Sequence, residues 1–176
     1  QELSCKVAQQ SVTLVRNDAD LLPLKLESSA RIAAIMPQPK DLTPADTSSY
    51  VKPALAQALR QYHAHVDEFI VSHEPTDEEI AALKTAVSTY DLLIVGTISA
   101  ALNPQQAKMA NVLLQTDTPV VNVALRIPYD LSVYPDATTY VCTYSIQPHA
   151  LDALADGLWG KRPFVGTLPV KMMLAS

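Results

Sequence analysis

The short segment after the apolar run 119–125 holds the side chains best suited to contact a ligand. Arg126, Tyr129 and Asp130 stand close together, with Pro128 between them. An arginine can donate paired hydrogen bonds to a carboxylate or to hydroxyl groups, and a tyrosine adds an amphipathic ring. The same residues also suit an ordinary turn, in which proline fixes the backbone and aspartate caps it. The turn is the favoured interpretation, and ligand binding by these three side chains is the alternative.

No other motif in the sequence points to a complete catalytic or cofactor site. The chain has 4 glycines, and neither the dinucleotide-binding GxGxxG nor the phosphate-binding GxxxxGK[ST] occurs. The GxSxG turn of serine hydrolases is also absent. His63 and His65 could share a face as metal ligands, but the pair is more typical of a solvated connection between a helix and a strand. We therefore predict no catalytic residue, no metal and no cofactor.

Composition and charge describe a folded, mildly acidic domain. The chain has 176 residues, of which 48% are hydrophobic and 18% charged, and its formal net charge is -5. No basic run is present, which argues against nucleic-acid binding through phosphates. No apolar run reaches the roughly 20 residues that a membrane-spanning helix needs. Since the chain does not begin with Met, we expect a fragment or processed product, and the sequence does not indicate a compartment.

The two cysteines, Cys5 and Cys142, form neither a CxxC pair nor a zinc-binding spacing. Cys142 lies in an apolar stretch, and we interpret it as a small core residue. A disulfide between the two cysteines remains an open alternative at this level.

Short apolar runs bounded by turn residues predict the strands of a sheet. Three of the runs are nearly continuous in apolar residues, which is typical of parallel strands covered on both faces. Two further candidates are rich in β-branched and aromatic residues. The predicted strands are 31–36, 91–96 and 119–125, with 66–71 and 138–143 as the weaker pair.

Helical segments alternate with these strands and carry recognisable start and stop signals. Thr76 followed by Glu79 resembles a capping box, and Asn103 before Pro104 provides an N-cap with proline at the first helical position. Gly160 is predicted to end the last helix in the left-handed conformation. The predicted helices are 2–15, 53–62, 76–88, 103–115 and 148–159.

This alternation predicts an α/β fold, a three-layer α/β/α sandwich with a mostly parallel sheet. Residues 1–24 are assigned to a lead-in helix and connection, and residues 25–176 to a single α/β sandwich domain. Ligands of such sheets bind outside the carboxyl ends of the strands. We therefore expect the loops 37–49, 97–102 and 126–131 to meet at that edge and to hold any ligand or partner contacts.

Three segments, in order along nearly the whole chain, carry the motifs of one known family. Residues 11–24 contain SVTLVRND and LLPL, residues 126–131 read RIPYDL, and residues 153–170 contain ALADGLWG and GTLPV. These resemble the opening, the R-x-P-Y-D-[LI] segment and the end of the C-terminal domain of glycoside hydrolase family 3. The middle segment is common in its β-N-acetylglucosaminidase branch. The chain departs from the family pattern where Phe164 and Val165 replace the usual Pro-Ser.

The resemblance implies a domain that packs beside an N-terminal (β/α)8 barrel of the same parent chain. In the family, the barrel supplies an aspartate nucleophile and, in the β-N-acetylglucosaminidase branch, a histidine acid/base. In the β-glucosidase branch, the C-terminal domain lends a glutamate acid/base instead, but the loop 97–102 of this chain holds no acid. The resemblance therefore implies an accessory domain of a retaining glycosidase that removes terminal β-linked N-acetylglucosamine.

Arg126, Tyr129 and Asp130 would then face the barrel mouth and contact the carbohydrate substrate. Two alternatives stay open: a β-glucosidase-type family 3 domain, and a non-catalytic module that binds carbohydrate or another protein. Such a module needs an exposed aromatic platform, and aromatic residues make up only 6% of the chain. An unrelated small α/β enzyme is disfavoured because glycine-rich phosphate loops are absent.

Overall fold

The computed structural model describes residues 2–41 and 43–168, which build an α/β sandwich around one sheet. The strands are β1 Thr13–Asn17, β2 Ile32–Pro37, β3 Val66–Val71, β4 Leu92–Thr97, β5 Val120–Ala124 and β6 Thr139–Cys142. The helices are α1 Glu2–Ser11, α2 Leu55–Leu59, α3 Asp77–Ala86, α4 Pro104–Leu114 and α5 Pro148–Leu158. Short 3-10 turns lie at Ser48–Tyr50, Ala100–Leu102 and Pro128–Val133.

The sheet has the strand order β1-β6-β5-β4-β2-β3. Strands β2 to β6 pair in parallel, and β1 pairs antiparallel with β6 at one edge. Alternate side chains of each central strand enter different cores, since Ile32 and Ala34 pack with α2 and α5, whereas Ala33 and Ile35 pack with α3 and α4. The predicted three-layer, mostly parallel sandwich is therefore confirmed.

Helix α5 illustrates how the helices are fixed to the sheet. Its predicted apolar face is buried, and removing each leucine from water contributes about 1.5–3 kcal/mol. On another side, a Cβ added at Gly157 would lie 2.4 Å from Cε1 of Phe164. The ring of Phe164 therefore packs directly on the backbone of α5. Phe164 is one of the two residues that depart from the family motif, and this contact gives the departure a structural role.

The N-terminal segment differs from its prediction. The expected helix 2–15 ends at Ser11, and residues Thr13–Asn17 form β1 instead. Val12 is buried, and Thr13 to Asn17 pair with the residues of β6. Long-range pairing with β6 and the β-branched residues Val12, Thr13 and Val15 outweigh local helical propensity here. The sheet therefore includes residues that precede Leu24.

Capping side chains begin the helices where the sequence predicts them. The hydroxyl of Thr76 accepts a hydrogen bond from the Glu79 N–H at 3.2 Å, and the side chain of Asn103 accepts one from the Gln106 N–H at 3.2 Å. Gly160 has φ +74° and ends the segment after α5, as predicted. Helix α2 is shorter than its predicted range 53–62. No helix in the described part of the chain is long and apolar enough to cross a membrane.

Strand β3 is the outer strand on the side opposite β1, and side chains bind both of its ends. Nε and Nη2 of Arg60 donate to the carbonyl of Val66 at 3.1 and 2.9 Å. The carboxylate of Glu79 accepts from the Ser72 N–H at 2.6 Å, instead of closing the expected capping box on Thr76. Asp67 and Glu68, between these two ends, are exposed. The outer edge of β3 is therefore capped and charged.

The two cysteines lie in different environments and do not form a disulfide. Cys5 is exposed on α1, and Cys142 is fully buried near Tyr134 and Tyr140. Burial raises the pKa of the Cys142 thiol to about 12, although a hydrogen bond with Tyr140 opposes this shift. The open alternative of a Cys5–Cys142 disulfide is therefore wrong in this structure, and the interpretation of Cys142 as a core residue is confirmed.

We expect a thiol reagent to modify one cysteine in the native chain and two in denaturant. Cys5 reacts quickly because it is exposed, whereas Cys142 is both inaccessible and protonated at neutral pH. The measurement is the absorbance released by an aromatic disulfide reagent. The variant Cys5→Ser should lose the fast reaction entirely, and a fast reaction in that variant would contradict the burial of Cys142.

Candidate functional site

The loops that follow β2, β4 and β5 meet at the carboxyl edge of the sheet, as the alternation of elements predicts. Arg126, two residues after β5, reaches across the end of β4 to Asp46 in the loop after β2. Asp130, in the 3-10 turn after β5, contacts Thr97 and Ala101 at the end of β4. Because β4 lies between β5 and β2 in the sheet, these contacts connect three neighbouring loops into one surface.

Arg126 and Asp46 form the ion pair of this surface. Nη2 of Arg126 lies 2.7 Å from Oδ2 of Asp46, and Nη1 donates to the Ser48 hydroxyl at 3.1 Å. The other carboxylate oxygen of Asp46 accepts from the N–H of Ser48 at 2.9 Å and from its hydroxyl at 2.5 Å. The side chains of Arg126 and Asp46 are 31% and 9% exposed. The guanidinium group is thus partly open to solvent, while the carboxylate is almost enclosed.

Asp130 is fully buried and holds the β5 loop against the end of β4. Its Oδ2 accepts a hydrogen bond from the Thr97 hydroxyl at 2.7 Å, and its Oδ1 accepts from the Ala101 N–H at 3.1 Å. The Tyr134 hydroxyl lies 2.9 Å from the Thr97 hydroxyl. Since the Thr97 proton points to Asp130, Tyr134 must donate to Thr97. The carboxyl group therefore ends a chain of three hydrogen-bonding side chains.

Burial dominates the electrostatics of this chain of groups. It raises the pKa of Asp130 above its ordinary value, and the hydrogen bonds from Thr97, Ala101 and Ala100 only partly oppose that shift. Burial also raises the pKa of Tyr134, and the nearby Asp130 adds to the effect. Tyr134 is therefore a neutral hydrogen-bond donor throughout the ordinary pH range.

Two aromatic side chains of this edge are open to solvent. Tyr129 is 46% exposed, and Tyr50, at the end of the 3-10 turn after β2, is 85% exposed. Hydrogen bonds fix both turns. In the turn that carries Tyr129, the Pro128 carbonyl accepts from the Tyr140 hydroxyl at 2.8 Å, and in the turn that carries Tyr50, the Ser48 N–H donates to Asp46. A tyrosine held in this way can present its ring to a sugar or to a protein surface.

Every carboxylate in the described residues of the three loops already accepts hydrogen bonds from its own chain. Asp46 and Asp130 are bonded as described, and Asp41 accepts from the N–H and the hydroxyl of Ser49, both at 2.8 Å. The loop 97–102 contains no acid. This edge therefore presents binding groups but no pair of free carboxyl groups of the kind that glycoside hydrolysis normally uses. No group of three or more His, Cys, Asp or Glu side chains suited to a metal ion occurs in the described ranges.

A family model decides what the chain is. The model of the glycosyl hydrolase family 3 C-terminal domain matches residues 12–175. The chain belongs to glycoside hydrolase family 3. This match confirms the resemblance that the opening, middle and closing segments of the sequence indicated.

Relatives of this family 3 domain are longer proteins. It is 30% identical over 183 residues to a β-N-acetylglucosaminidase/β-glucosidase of Cellulomonas fimi, a match that covers 94% of this chain and 31% of that protein. A solved family 3 β-N-acetylglucosaminidase from Paenibacillus sp. str. FPU-7 has a TM-score of 0.88 at 24% identity, over 99% of this chain and 33% of the other. A β-glucosidase from Listeria innocua, solved with isofagomine, has a TM-score of 0.71 at 19% identity, over 90% of this chain and 25% of the other. The domain spans a third or less of these relatives, and the solved structures establish its fold.

The structure brings the predicted site residues to one edge but gives them different roles. Arg126 and Tyr129 are partly open to solvent, whereas Asp130 lies beneath the surface and contacts only its own chain in the bonds described. Substrate binding by these residues stays a prediction. Sequence reasoning missed Asp46 and Tyr50. The spacing of Asp46 and Ser48 is typical of a side chain that binds its own backbone two residues on, and this was the available signal.

Replacing Arg126 with Ala should lower the free energy of unfolding by about 2 kcal/mol, because Asp46 then keeps a nearly enclosed charge without its main partner. The measurement is urea unfolding followed by circular dichroism. Adding Asp46→Asn to Arg126→Ala should recover part of the loss. Lys108→Ala is the matched control, since both members of the Lys108–Asp77 pair are largely exposed and such a surface pair contributes little to stability. Equal losses for the two alanine variants would contradict this account.

Replacing Asp130 with Asn should change how stability depends on pH. Because the folded chain holds the pKa of Asp130 above the ordinary 3.8, it binds this proton more tightly than the unfolded chain does. The native sequence should therefore gain stability relative to Asp130→Asn as the pH falls from neutral through the raised pKa. Urea unfolding at several pH values measures this difference.

The variant Asp77→Asn provides the contrasting control. A hydrogen bond from Lys108 lowers the pKa of Asp77, so the native sequence should lose stability relative to Asp77→Asn as the pH falls. Parallel pH dependences for the two variants would contradict the assignment for Asp130.

Proposed function

We propose that this family 3 domain is the accessory C-terminal domain of a retaining glycosidase that hydrolyses terminal β-linked N-acetylglucosamine. Catalysis takes place in an N-terminal (β/α)8 barrel of the same parent chain. The proposal rests on one observation: the carboxylates of Asp41, Asp46 and Asp130, at the carboxyl edge of the sheet, are already bonded to groups of their own chain. The domain offers a wall to a substrate cleft, and the reacting carboxylate comes from elsewhere.

The relatives support the choice of reaction. Those described above include a β-N-acetylglucosaminidase/β-glucosidase and a family 3 β-N-acetylglucosaminidase, of which this domain covers 31% and 33%. Retaining hydrolysis needs a nucleophile and an acid/base group on opposite sides of the scissile bond, about 5–5.5 Å apart when both are carboxyl groups. In the described residues of the loops 37–49, 97–102 and 126–131, Asp41, Asp46 and Asp130 already accept hydrogen bonds from the chain itself, so we assign both groups to the barrel.

The residues of the edge receive separate tasks in this proposal. Arg126 donates hydrogen bonds to sugar hydroxyls or to a substrate carboxylate from the exposed part of its guanidinium group, and Tyr129 packs its ring against a sugar. Asp130 acts as a positioning residue, because its buried carboxyl group fixes the turn that carries Tyr129. Asp46 orients Arg126 in the same indirect way.

A β-glucosidase-type activity is the second candidate. It is favoured by the Cellulomonas fimi relative, which is named for both activities, and by the shared fold of the Listeria innocua β-glucosidase. Against it, the loop 97–102 lacks an acid and contributes Ala101 N–H and Thr97 hydroxyl only as internal donors. Comparing aryl β-glucoside with aryl β-N-acetylglucosaminide as substrates of the parent protein discriminates the two activities.

A carbohydrate-binding module without its own catalytic partner remains the other class of function. Tyr50 and Tyr129 are exposed aromatic residues on one edge, which is the feature such a module requires. Isothermal titration of the 176-residue chain and of the parent protein with N-acetylglucosamine oligomers tests it. Binding by the chain alone that is as tight as binding by the parent would favour this function, whereas the accessory role needs the barrel for binding.

We expect the chain alone to leave an aryl β-N-acetylglucosaminide intact, and the parent protein with its barrel to hydrolyse it. The reason is that the reacting groups lie outside this domain. Release of the coloured phenol measures both. Turnover by the purified chain would overturn the assignment of catalysis to the barrel. A parent protein that does not hydrolyse this substrate would overturn the proposed reaction.

Within the parent, Tyr129→Ala should raise KM about tenfold, the effect of losing roughly 1.4 kcal/mol of sugar contact, and change kcat less. His65→Ala is the matched control, because His65 is an exposed ring side chain that precedes β3, at the amino end of the parallel strands and so opposite the carboxyl-edge loops. A KM equal to that of the control would remove Tyr129 from the substrate site.

A further inference from the structure

Helix α1 has only ten residues, and it exposes apolar side chains whose burial would stabilise so short a helix. Leu3 and Val7 lie four residues apart, so they share one face, and they are 75% and 53% exposed. Ala8 is the buried residue of the helix, and residues 2–7 are all exposed. The first half of α1 therefore has little contact with the rest of the described domain.

Two open grooves flank this half of the helix. One, the α1 groove, has a volume of about 440 Å³ and is lined by Leu3, Val7, Thr143, Tyr144, Ser145 and His149, among others. The second, of about 560 Å³, lies on the side of Glu2, Cys5, Pro148 and Asp152. Helix α1 thus stands as a ridge above the first turn of α5, with space on either side.

The α1 groove is suited to a surface that presents apolar side chains together with hydrogen-bonding groups. Among the described residues, no Asp, Glu, Lys or Arg side chain lines it, and Leu3, Val7 and Tyr144 supply its apolar walls. Its polar lining consists of Ser4, Ser11, Thr143, Ser145 and His149. Tyr144 has φ +57°, a conformation that is rare for a bulky residue and persists only where surrounding contacts hold it. The groove therefore combines an apolar lining with a backbone conformation fixed at its base.

Helix stability gives the physical reason for a partner. A helix shorter than about 12–15 residues is marginal in water unless tertiary packing covers its apolar face. In α1 only Ala8, in its second half, has that packing, and Val12, just after the helix, belongs to the same core cluster. The first half becomes stable when another surface covers Leu3 and Val7.

We propose that the α1 groove is the surface on which the preceding barrel of the parent chain docks. This inference rests on the proposed function, since it takes the barrel as the occupant. The relatives support that occupant: this C-terminal domain covers 31% and 33% of the two β-N-acetylglucosaminidase relatives, so about two thirds of each belongs to other segments. A segment tethered through α1 docks intramolecularly, and a small apolar contact is then sufficient.

The position of the groove agrees with the position of the candidate site. Thr143, Tyr144 and Ser145 follow β6, and the parallel strands place that segment at the same carboxyl edge as Arg126 and Tyr129. A barrel seated on the α1 groove therefore lies beside the loops that are proposed to wall the substrate cleft. One docking contact fixes both the helix and the cleft.

Hydrogen–deuterium exchange of the parent protein tests this docking surface. Amides of residues 2–11 should exchange at least about tenfold more slowly in the parent than in the 176-residue chain alone, which corresponds to about 1.4 kcal/mol of added protection. Equal exchange of α1 in the two proteins would overturn the proposal.

A matched pair of variants in the parent sharpens the test. Val7→Asp places a charge in the proposed contact and should return α1 to the fast exchange of the chain alone. Ile70→Asp is the control, since Ile70 is exposed on β3, at the opposite edge of the sheet from β1 and outside the groove lining, and it should leave α1 protected. Loss of protection in both variants, or in neither, would contradict docking through Val7.

The outcome is independent of the proposed reaction. Hydrolysis of an aryl β-N-acetylglucosaminide by the unmodified parent reports the reaction, whereas α1 protection reports the docking. A protected α1 in a parent without that hydrolysis keeps the docking surface and removes the proposed function. Hydrolysis by a parent whose α1 is unprotected keeps the proposed function and removes the docking surface.

Discussion

The carboxyl edge of this domain depends on one buried carboxyl group. Asp130 cannot be left without hydrogen bonds in the interior, since an unpaired buried charge costs several kcal/mol. The Thr97 hydroxyl, at the end of β4, and the Ala101 N–H, in the 3-10 turn that follows β4, satisfy it. The requirement to pair one side chain therefore fixes the turn after β5 against its neighbour in the sheet, and the exposed residues of that turn inherit a defined position.

A second constraint acts across the same strand. Arg126 reaches over β4 to a carboxylate on the loop after β2, so the loops of three adjacent strands are connected by polar contacts as well as by the sheet below. These contacts occupy Asp46 and Asp130. In a family whose chemistry needs carboxyl groups, an edge that uses its own acids to hold loops is suited to shaping a cleft rather than to breaking a bond.

Most of the architecture could be predicted from local patterns. The runs 31–36, 91–96 and 119–125 are nearly continuous in apolar residues, which is typical of central parallel strands. Thr76, Asn103 and Gly160 mark helix ends through their own side-chain or backbone preferences. β1 could not be predicted in this way, because residues 13–17 become a strand only through pairing with β6, more than a hundred residues away. The partners of Arg126 and Asp130 were missed for the same reason, since contacts across the sheet leave no spacing in the sequence. Glu79 shows that a local motif can also mislead. Its position is that of a capping box, but its carboxylate accepts a hydrogen bond from the Ser72 N–H instead.

The capped ends of β3 have a consequence for the behaviour of the domain in solution. An open strand edge is a template on which other chains can add, and long, flat edges lead to aggregation. Here the Val66 carbonyl is already bonded to Arg60 and the Ser72 N–H to Glu79, so only a short stretch between them could pair with another molecule. That stretch carries Asp67 and Glu68, whose charges repel a second copy of the same strand. The sheet is thereby protected against edge-to-edge growth at β3, and a second copy of the domain gains little by pairing there.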